Sequence, residues 1–341
     1  MPQQNTGQYT QSLLPAPITE QATGQSHFLI SMHTQEHHNH TPVTQFSYAP
    51  MTLSSFVFSQ YTIPCERHPA RNEDSILVEG NTGLAAVFDG VGGSAAGQVA
   101  SRMAVRATRE IWHEALADYQ QGRKRHTPLE HPGEEFACSL LKRLVQEADN
   151  RVRIDGARKA GTDDLATTAA LSIICQEQQG YVLYYAHVGD SRVYLQRSKE
   201  PLKRLTNDDG LLAKLVENSV VQEEDAYRID QAMRSDQLSD TEFSYFRLRG
   251  GITQALGGPV PPNIHLDKVS IQPGDRVLLC TDGIHDNLTD EEIEVILCST
   301  FRTSTARILV EHALYRSRED RSQTIRAKPD DMSAIVMTCR F

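Results

Sequence analysis

Two apolar runs of this chain finish on an aspartate followed by a glycine: Val87-Phe88-Asp89-Gly90 and Leu279-Cys280-Thr281-Asp282-Gly283. A carboxylate at the end of a buried strand is costly to desolvate unless something positive meets it. The glycine after each aspartate lets the backbone turn sharply or come close to a ligand. One Asp-Gly pair is ordinary turn chemistry. Two at strand ends say more, because Glu73-Asp74 precedes the apolar Ile76-Leu77-Val78 and Asp330-Asp331 directly precedes the last apolar run. Two further pairs, Asp163-Asp164 and Asp208-Asp209, read singly as solvated surface. Carboxylates gathered from distant strands repel one another, and hard divalent cations relieve that repulsion. All-oxygen ligands favour Mg²⁺ or Mn²⁺ over zinc. Two such ions about 3.5–4 Å apart can bind a phosphate and activate a water.

The elements that must position these groups follow from hydrophobic period. Residues 1–55 are rich in Gln, Thr, Ser, His and Pro, lack periodicity, and read as a disordered low-complexity leader; an ordered domain is expected over 56–341. Leu84 to Phe88 reads as a buried strand. A helix is expected from about Ala95 to Tyr119, on the spacing of Val99, Met103, Ala107 and Ile111. A second is expected from about Glu134 to Lys159, with Phe136, Leu140, Leu144, Val145, Ala148 and Val152 on its apolar face. Strands are expected at Thr167–Cys175, Tyr181–Val188, Arg192–Gln196, Val277–Cys280 and Ala334–Thr338. Residues 206–250 read as polar and helix-prone, without a strong core pattern. Thr289 is placed to cap a helix whose first turn holds Asp290, Glu291 and Glu292. Consecutive long helices and an excess of strands give an α+β fold, with antiparallel sheets covered by helices.

Composition narrows the function. The 341 residues carry a formal net charge of −10, which disfavours a general nucleic-acid partner. The six cysteines include no C-x-x-C pair, as expected for reduced thiols in a cytoplasmic protein. No apolar run reaches the roughly 18 residues of a membrane span, and the N-terminus lacks the pattern of a secretory signal, so no membrane association is expected. A monomer is favoured.

The motifs in chain order resemble the metal-dependent protein phosphatases of the PP2C, or PPM, family. They are Asn72-Glu73-Asp74-Ser75, Val87-Phe88-Asp89-Gly90-Val91-Gly92-Gly93, Ala166-Thr167-Thr168-Ala169 and Val188-Gly189-Asp190-Ser191-Arg192-Val193-Tyr194. Leu205-Thr206-Asn207-Asp208, Ile252-Thr253-Gln254-Ala255-Leu256-Gly257-Gly258, Gly274-Asp275-Arg276-Val277-Leu278-Leu279-Cys280-Thr281-Asp282-Gly283 and Asp330-Asp331-Met332-Ser333 complete the set. The glycine-rich form after Asp89 is similar to bacterial members. The resemblance implies a four-layer α/β/β/α sandwich of two mainly antiparallel sheets flanked by helices, with a flap over about 211–251. It implies that Asp89 bridges two Mn²⁺ or Mg²⁺ ions and that the Gly90 carbonyl touches the second. Asp282 and Asp330 would bind the first, Glu73 and Asp74 would hold metal-bound waters, and Asp163 or Asp164 would serve a third ion. The implied reaction is attack of a metal-bridging hydroxide on the phosphorus of phosphoserine or phosphothreonine in phosphorylated proteins.

This chain departs from the family pattern in places. The arginine usual five residues before the aspartate of the first motif is Pro69 here, leaving Arg67 and Arg71 as candidates to bind the substrate phosphate. Asp331 stands where an asparagine is usual, Ala166 where a glycine is, and Asp209 where a histidine is. Val91 replaces the histidine that follows Asp-Gly in animal enzymes. Three rival readings remain at this stage. Cys65-Glu66-Arg67-His68-Pro69-Ala70-Arg71 has the C-x₅-R spacing of cysteine phosphatases, although the loop has no glycine and Pro69 removes an amide. The same fold could also serve as a pseudophosphatase binding module, or as a hydrolase of small phosphate esters.

Overall fold

Strands whose side chains are apolar on both faces need cover on both faces, and that requirement shapes this fold. The computed structural model describes residues 55–91, 96–122, 131–162 and 164–340. The expected leader lies outside the described residues except for Ser55, as do Gly92, Gly93 and Asp163. The chain begins with β1 (Phe56–Ile63), β2 (Ser75–Glu79), β3 (Leu84–Phe88) and the short β4 (Gly90–Val91). Helices α1 (Ala96–Gly122), α2 (Glu134–Arg151) and α3 (Ala157–Ala160) follow. Next come β5 (Ala166–Thr167), β6 (Ala169–Glu177), β7 (Gly180–Val188), β8 (Arg192–Gln196) and β9 (Lys203–Arg204). Helices α4 (Leu211–Glu217), α5 (Glu223–Asp230) and α6 (Asp240–Leu248) come before β10 (His265–Ile271) and β11 (Arg276–Cys280). The chain then forms α7 (Asp282–His285), α8 (Asp290–Ser299), α9 (Thr305–Ser317) and β12 (Met332–Cys339).

Two five-stranded sheets result, in the orders β1-β12-β11-β8-β9 and β10-β7-β6-β3-β2, with β4 and β5 paired separately. Every recorded pairing is antiparallel. Side chains alternate between faces along a strand. Ala85 and Val87 of β3 therefore meet Val277 and Leu279 of β11 and Ile335 and Met337 of β12 between the sheets. Ala86 and Phe88 turn outward onto α1 and α2. Leu278, Cys280, Ala334 and Val336 turn the other way, onto Ile293 and Leu297 of α8 and Leu309 and Val310 of α9. This is the expected α/β/β/α sandwich, and it explains why its central strands read as unbroken apolar runs.

Several elements differ from expectation for identifiable reasons. The single helix expected over 134–159 is interrupted by a π-helical turn at Val152–Gly156. Arg153 there bonds both Asp149 at 2.6 Å and the Gly258 carbonyl at 2.8 Å. The strand expected from Thr167 breaks at Thr168, whose Oγ1 accepts the Asp89 amide at 3.1 Å and lies 2.7 Å from Ser191 Oγ. Residues 211–251 possess a small core of their own, built from Leu212, Val221, Ile229, Ala232 and Phe246. Both ends of this segment meet: the Leu211 amide donates to the Gly251 carbonyl at 2.8 Å, and Gly210 bridges Ile252. Thr289 caps α8 as expected, with Glu292 closing the reciprocal capping box.

The 211–251 segment is tied to the sandwich by buried charge. Arg192 of β8, only 2% exposed, forks onto Asp208 with contacts of 2.9 and 2.6 Å and reaches Asp230 of α5 at 3.3 Å. Arg326, fully buried, donates to the carbonyls of Asp230, His285 and Leu288. Asp208 is therefore not a solvated surface residue. Its bidentate arginine outweighs burial and holds its carboxyl below the ordinary range. Arg192→Ala would leave two aspartates buried without their main partner. It is expected to lower the unfolding free energy by about 3–5 kcal/mol in urea denaturation, and a loss below about 1 kcal/mol would contradict this role.

Candidate active site

The carboxylates expected to converge do so at one edge of the sandwich, where β3 and β11, facing each other from the two sheets, end near the segment leading into β12. Asp89 follows β3, Asp282 opens α7, and Asp330 lies just ahead of β12. The Asp89 carboxyl is raised well above the ordinary range, first by burial and then by the charges of Asp282, Asp74, Asp330 and Asp190. Asp330 is pushed up to about 7 by burial and by Asp282, with Lys328 opposing. Repulsion among like charges adds to the effect of burial in both.

Backbone contacts fix the floor of the cluster. The Asp89 carbonyl accepts the Thr168 amide and the Thr167 hydroxyl, both at 2.8 Å. Glycine is required after each aspartate because main chains touch there. A Cβ on Gly90 would lie 2.2 Å from the Gly97 carbonyl oxygen, and one on Gly283 would lie 1.9 Å from that of Asp331. Close backbone approach, rather than a left-handed turn, accounts for both Asp-Gly pairs.

Glu73 and Asp74 enter from the loop before β2. Asp74 is buried and accepts the Thr281 hydroxyl at 2.7 Å on Oδ2, while its Oδ1 has no hydrogen-bond partner. Burial is the main cause of its raised pKa, with Thr281 and Ser333 opposing and Asp331 and Asp330 adding to it. The Glu73 carboxyl is also raised by burial, and its Oε1 is 3.4 Å from Arg71 Nε without a hydrogen bond. Asp331 acts as a bracket: Oδ1 accepts the Cys65 amide at 2.5 Å and Oδ2 the Glu73 amide at 2.7 Å. The Gly90 amide in turn donates to the Glu73 carbonyl at 3.1 Å.

Sequence reasoning missed three members of this site. Lys328 contacts Asp282 and lies 2.7 Å from Asp286 and 3.1 Å from Asp330. Burial works against its charge, but those carboxylates outweigh burial and hold its pKa well above the ordinary value. Asp286 is held well below the usual range, burial notwithstanding, by Arg249 and Lys328. Asp190, inside a quoted motif, is buried and raised by burial and by the charge of Asp282. The one available signal for Lys328 was its place two residues before Asp330.

Other expected residues are placed less centrally. Asp164 is exposed, and its amide donates to Thr162 Oγ1 at 3.1 Å; among the described residues it takes no recorded part in the cluster. Arg67 is exposed, whereas Arg71 reaches the site edge through Glu73. The cysteine rival loses ground. Cys65 is 2% exposed and burial pushes its thiol up, away from thiolate. The amides of His68 and Arg71 are spent on turn bonds within the loop at 3.0 and 2.9 Å, so they cannot cradle a phosphate.

A cluster of carboxylates at one edge of an α/β/β/α sandwich is the feature to be compared with known proteins. The model of the protein phosphatase 2C family matches residues 65–316, and the chain belongs to that family. It is 28% identical over 219 residues to the serine/threonine phosphatase stp of Listeria monocytogenes, covering 64% of this chain and 73% of that protein. It is 29% identical over 246 residues to the serine/threonine protein phosphatase PstP of Mycobacterium tuberculosis, covering 72% of this chain and 40% of that protein. The crystal structure of PstP superposes with a TM-score of 0.62 at 24% identity, over 84% of this chain and 99% of that one. A PstP catalytic-domain structure in complex with two manganese ions gives 0.58 at 24% identity, with the same coverage.

The raised carboxyl of Asp330 makes a pH-dependent prediction for metal-free protein. Its folded pKa of about 7 exceeds the ordinary 3.8. Between those values the folded chain binds a proton that the unfolded chain does not, so this group's stability contribution is full below the lower value and lost as pH rises through about 7. In EDTA, the Tm of Asp330→Asn relative to the parent should therefore be higher at about pH 8 than at about pH 5. A Tm difference that does not change with pH would contradict the shift.

Proposed function

We propose that this chain is a metal-dependent serine/threonine protein phosphatase whose carboxylate cluster binds two Mn²⁺ or Mg²⁺ ions. The observation that carries this reading is the meeting of Asp89, Asp282 and Asp330, from separate strand ends, with their negative charges incompletely compensated. The donor set fits hard cations: it is all oxygen, and Glu73 Oε1 and Asp74 Oδ1 are buried without hydrogen-bond partners. Asp89 would be shared between the ions, with the Gly90 carbonyl, Asp282 and Asp330 completing the direct ligands and Glu73 and Asp74 orienting waters. When bound, such ions neutralise the cluster, grip phosphate oxygens and lower the pKa of a coordinated water.

The chain's own groups do the rest. Thr281 holds Asp74 in one orientation through the 2.7 Å bond to Oδ2, leaving Oδ1 to accept from a water. Lys328 offers one positive charge to oxygens an ion would also seek, and so competes at Asp282 and Asp330. Arg71 is favoured of the two candidates for the substrate phosphate, since it lies 3.4 Å from Glu73 while Arg67 is exposed. The 211–251 segment would form a flap beside the cleft, and residues 56–341 a single catalytic domain preceded by a leader. Asp164 and Asp163, the latter outside the described residues, remain the proposed holders of any third ion.

Activity on a phosphothreonine peptide should require Mn²⁺ or Mg²⁺, vanish with EDTA, and fall about a hundredfold or more in both Asp89→Asn and Asp282→Asn. Cys65→Ser should keep it. Comparable Mn²⁺-dependent turnover in both aspartate variants would sink the site assignment. Absence of turnover in the parent protein would favour a binding module. A preference for small esters over phosphopeptides would redirect the substrate class.

A further inference from the structure

A separate group of ligating side chains lies at the root of the 211–251 segment. His187 near the end of β7, Asp209 just before Gly210, and His265 at the start of β10 come together there. One ring nitrogen of each histidine and a carboxylate oxygen of Asp209 lie within 4.8 Å of one another. The antiparallel register sets His265 opposite His187, and their rings stack with centroids 4.7 Å apart. His265 Nε2 is 2.9 Å from Asp209 Oδ1.

Three features go beyond chance proximity. His187 is 5% exposed, and its Nε2 is 2.7 Å from the Asn207 carbonyl. A carbonyl only accepts, so Nε2 carries the hydrogen and Nδ1 bears a lone pair. That Nδ1 is buried without a partner, a state that folded proteins rarely tolerate without cause. An imidazole that donates one N–H to a carbonyl and leaves its other nitrogen bare has the orientation of a metal ligand. Burial also lowers the His187 pKa, which keeps the ring in the neutral form a metal requires. Asp209, for its part, is fixed in place: Oδ2 accepts the Gly189 amide at 2.9 Å and Oδ1 accepts Gln254 Nε2 at 2.8 Å. Finally, His187, Asp209 and His265 all line a cleft of about 870 Å³, which gives an ion a way in.

We propose that His187, Asp209 and His265 form a binding site for a borderline transition-metal ion, Zn²⁺ by preference, separate from the carboxylate cluster. Two imidazoles and one carboxylate suit zinc, whereas an all-oxygen cluster suits Mg²⁺ or Mn²⁺. Bonds of about 2.0–2.1 Å at tetrahedral angles place ligand atoms roughly 3.4 Å apart. Reaching that spacing would require the His265 ring, whose side chain is 40% exposed, to turn on its stack with His187. The site holds both ends of the 211–251 segment. The Asp209 carbonyl accepts the Thr253 amide at 2.7 Å and its hydroxyl at 3.0 Å, and Gly210 bridges Ile252. A bound ion would clamp that root.

The test uses the full chain carrying Asp89→Asn and Asp282→Asn, so that the carboxylate cluster does not dominate metal uptake. Chelator-stripped protein is titrated with Zn²⁺ by calorimetry and with Co²⁺ by visible absorption. One equivalent should bind, and Co²⁺ should give the intense visible bands of tetrahedral coordination. Adding His265→Gln, at the half-exposed position where folding is least at risk, should weaken Zn²⁺ binding by about tenfold or more and abolish those bands. Adding His187→Gln should do the same, with thermal melting confirming that each variant is folded. Unchanged Zn²⁺ affinity in folded His265→Gln, or only the weak absorption of octahedral Co²⁺ in the parent background, would overturn the proposal.

Discussion

Negative charge concentrated at the end of a β-sandwich sets the terms for this molecule. The carboxyls of Asp74, Asp89, Asp190 and Asp330 are all raised, first by burial and then by the charges of neighbouring carboxylates. A fold can hold such a group only if other interactions over-determine its position. Here those interactions are visible. Gly90 and Gly283 let main chains touch, Asp331 brackets two loops through their amides, and Lys328 places a single positive charge among three carboxylates. The sandwich supplies the rigidity, since β3, β11 and β12 are buried on both faces. Holding these carboxylates together costs stability, which the surrounding contacts must offset.

A second charged network performs the opposite task. Arg192, Asp208, Asp230 and Arg326 are buried, but their charges are matched and their hydrogen bonds largely satisfied. This network joins β8 to α5. The contrast is one of compensation: paired charges fasten the 211–251 segment, and under-compensated charges make up the carboxylate cluster.

What the sequence disclosed follows from the same physics. Central strands such as β3 and β11 were legible because burial on both faces leaves short apolar runs with clear ends. Edge strands β1 and β10 mix polar and apolar residues, since one face or edge meets solvent, and no run marked them. The anionic half of the site was legible because aspartates at strand ends demand an explanation. Its cationic member, Lys328, was not, because nothing local distinguishes a lysine that reaches back to α7 from one in water. Asp208 was misread for a related reason: its partner, Arg192, lies on a neighbouring strand, and only tertiary structure shows the fork between them. The core of 211–251 was also missed, being built from isolated residues such as Leu212, Ile229 and Phe246 on three short helices.

The 211–251 segment leaves and rejoins the sandwich at nearly one point, between Gly210 and Ile252. An excursion with coincident ends adds little closure entropy when it lengthens or shortens. The molecule is therefore modular at this place. A segment joined at one point can change in length and surface while the strands that flank it keep their register.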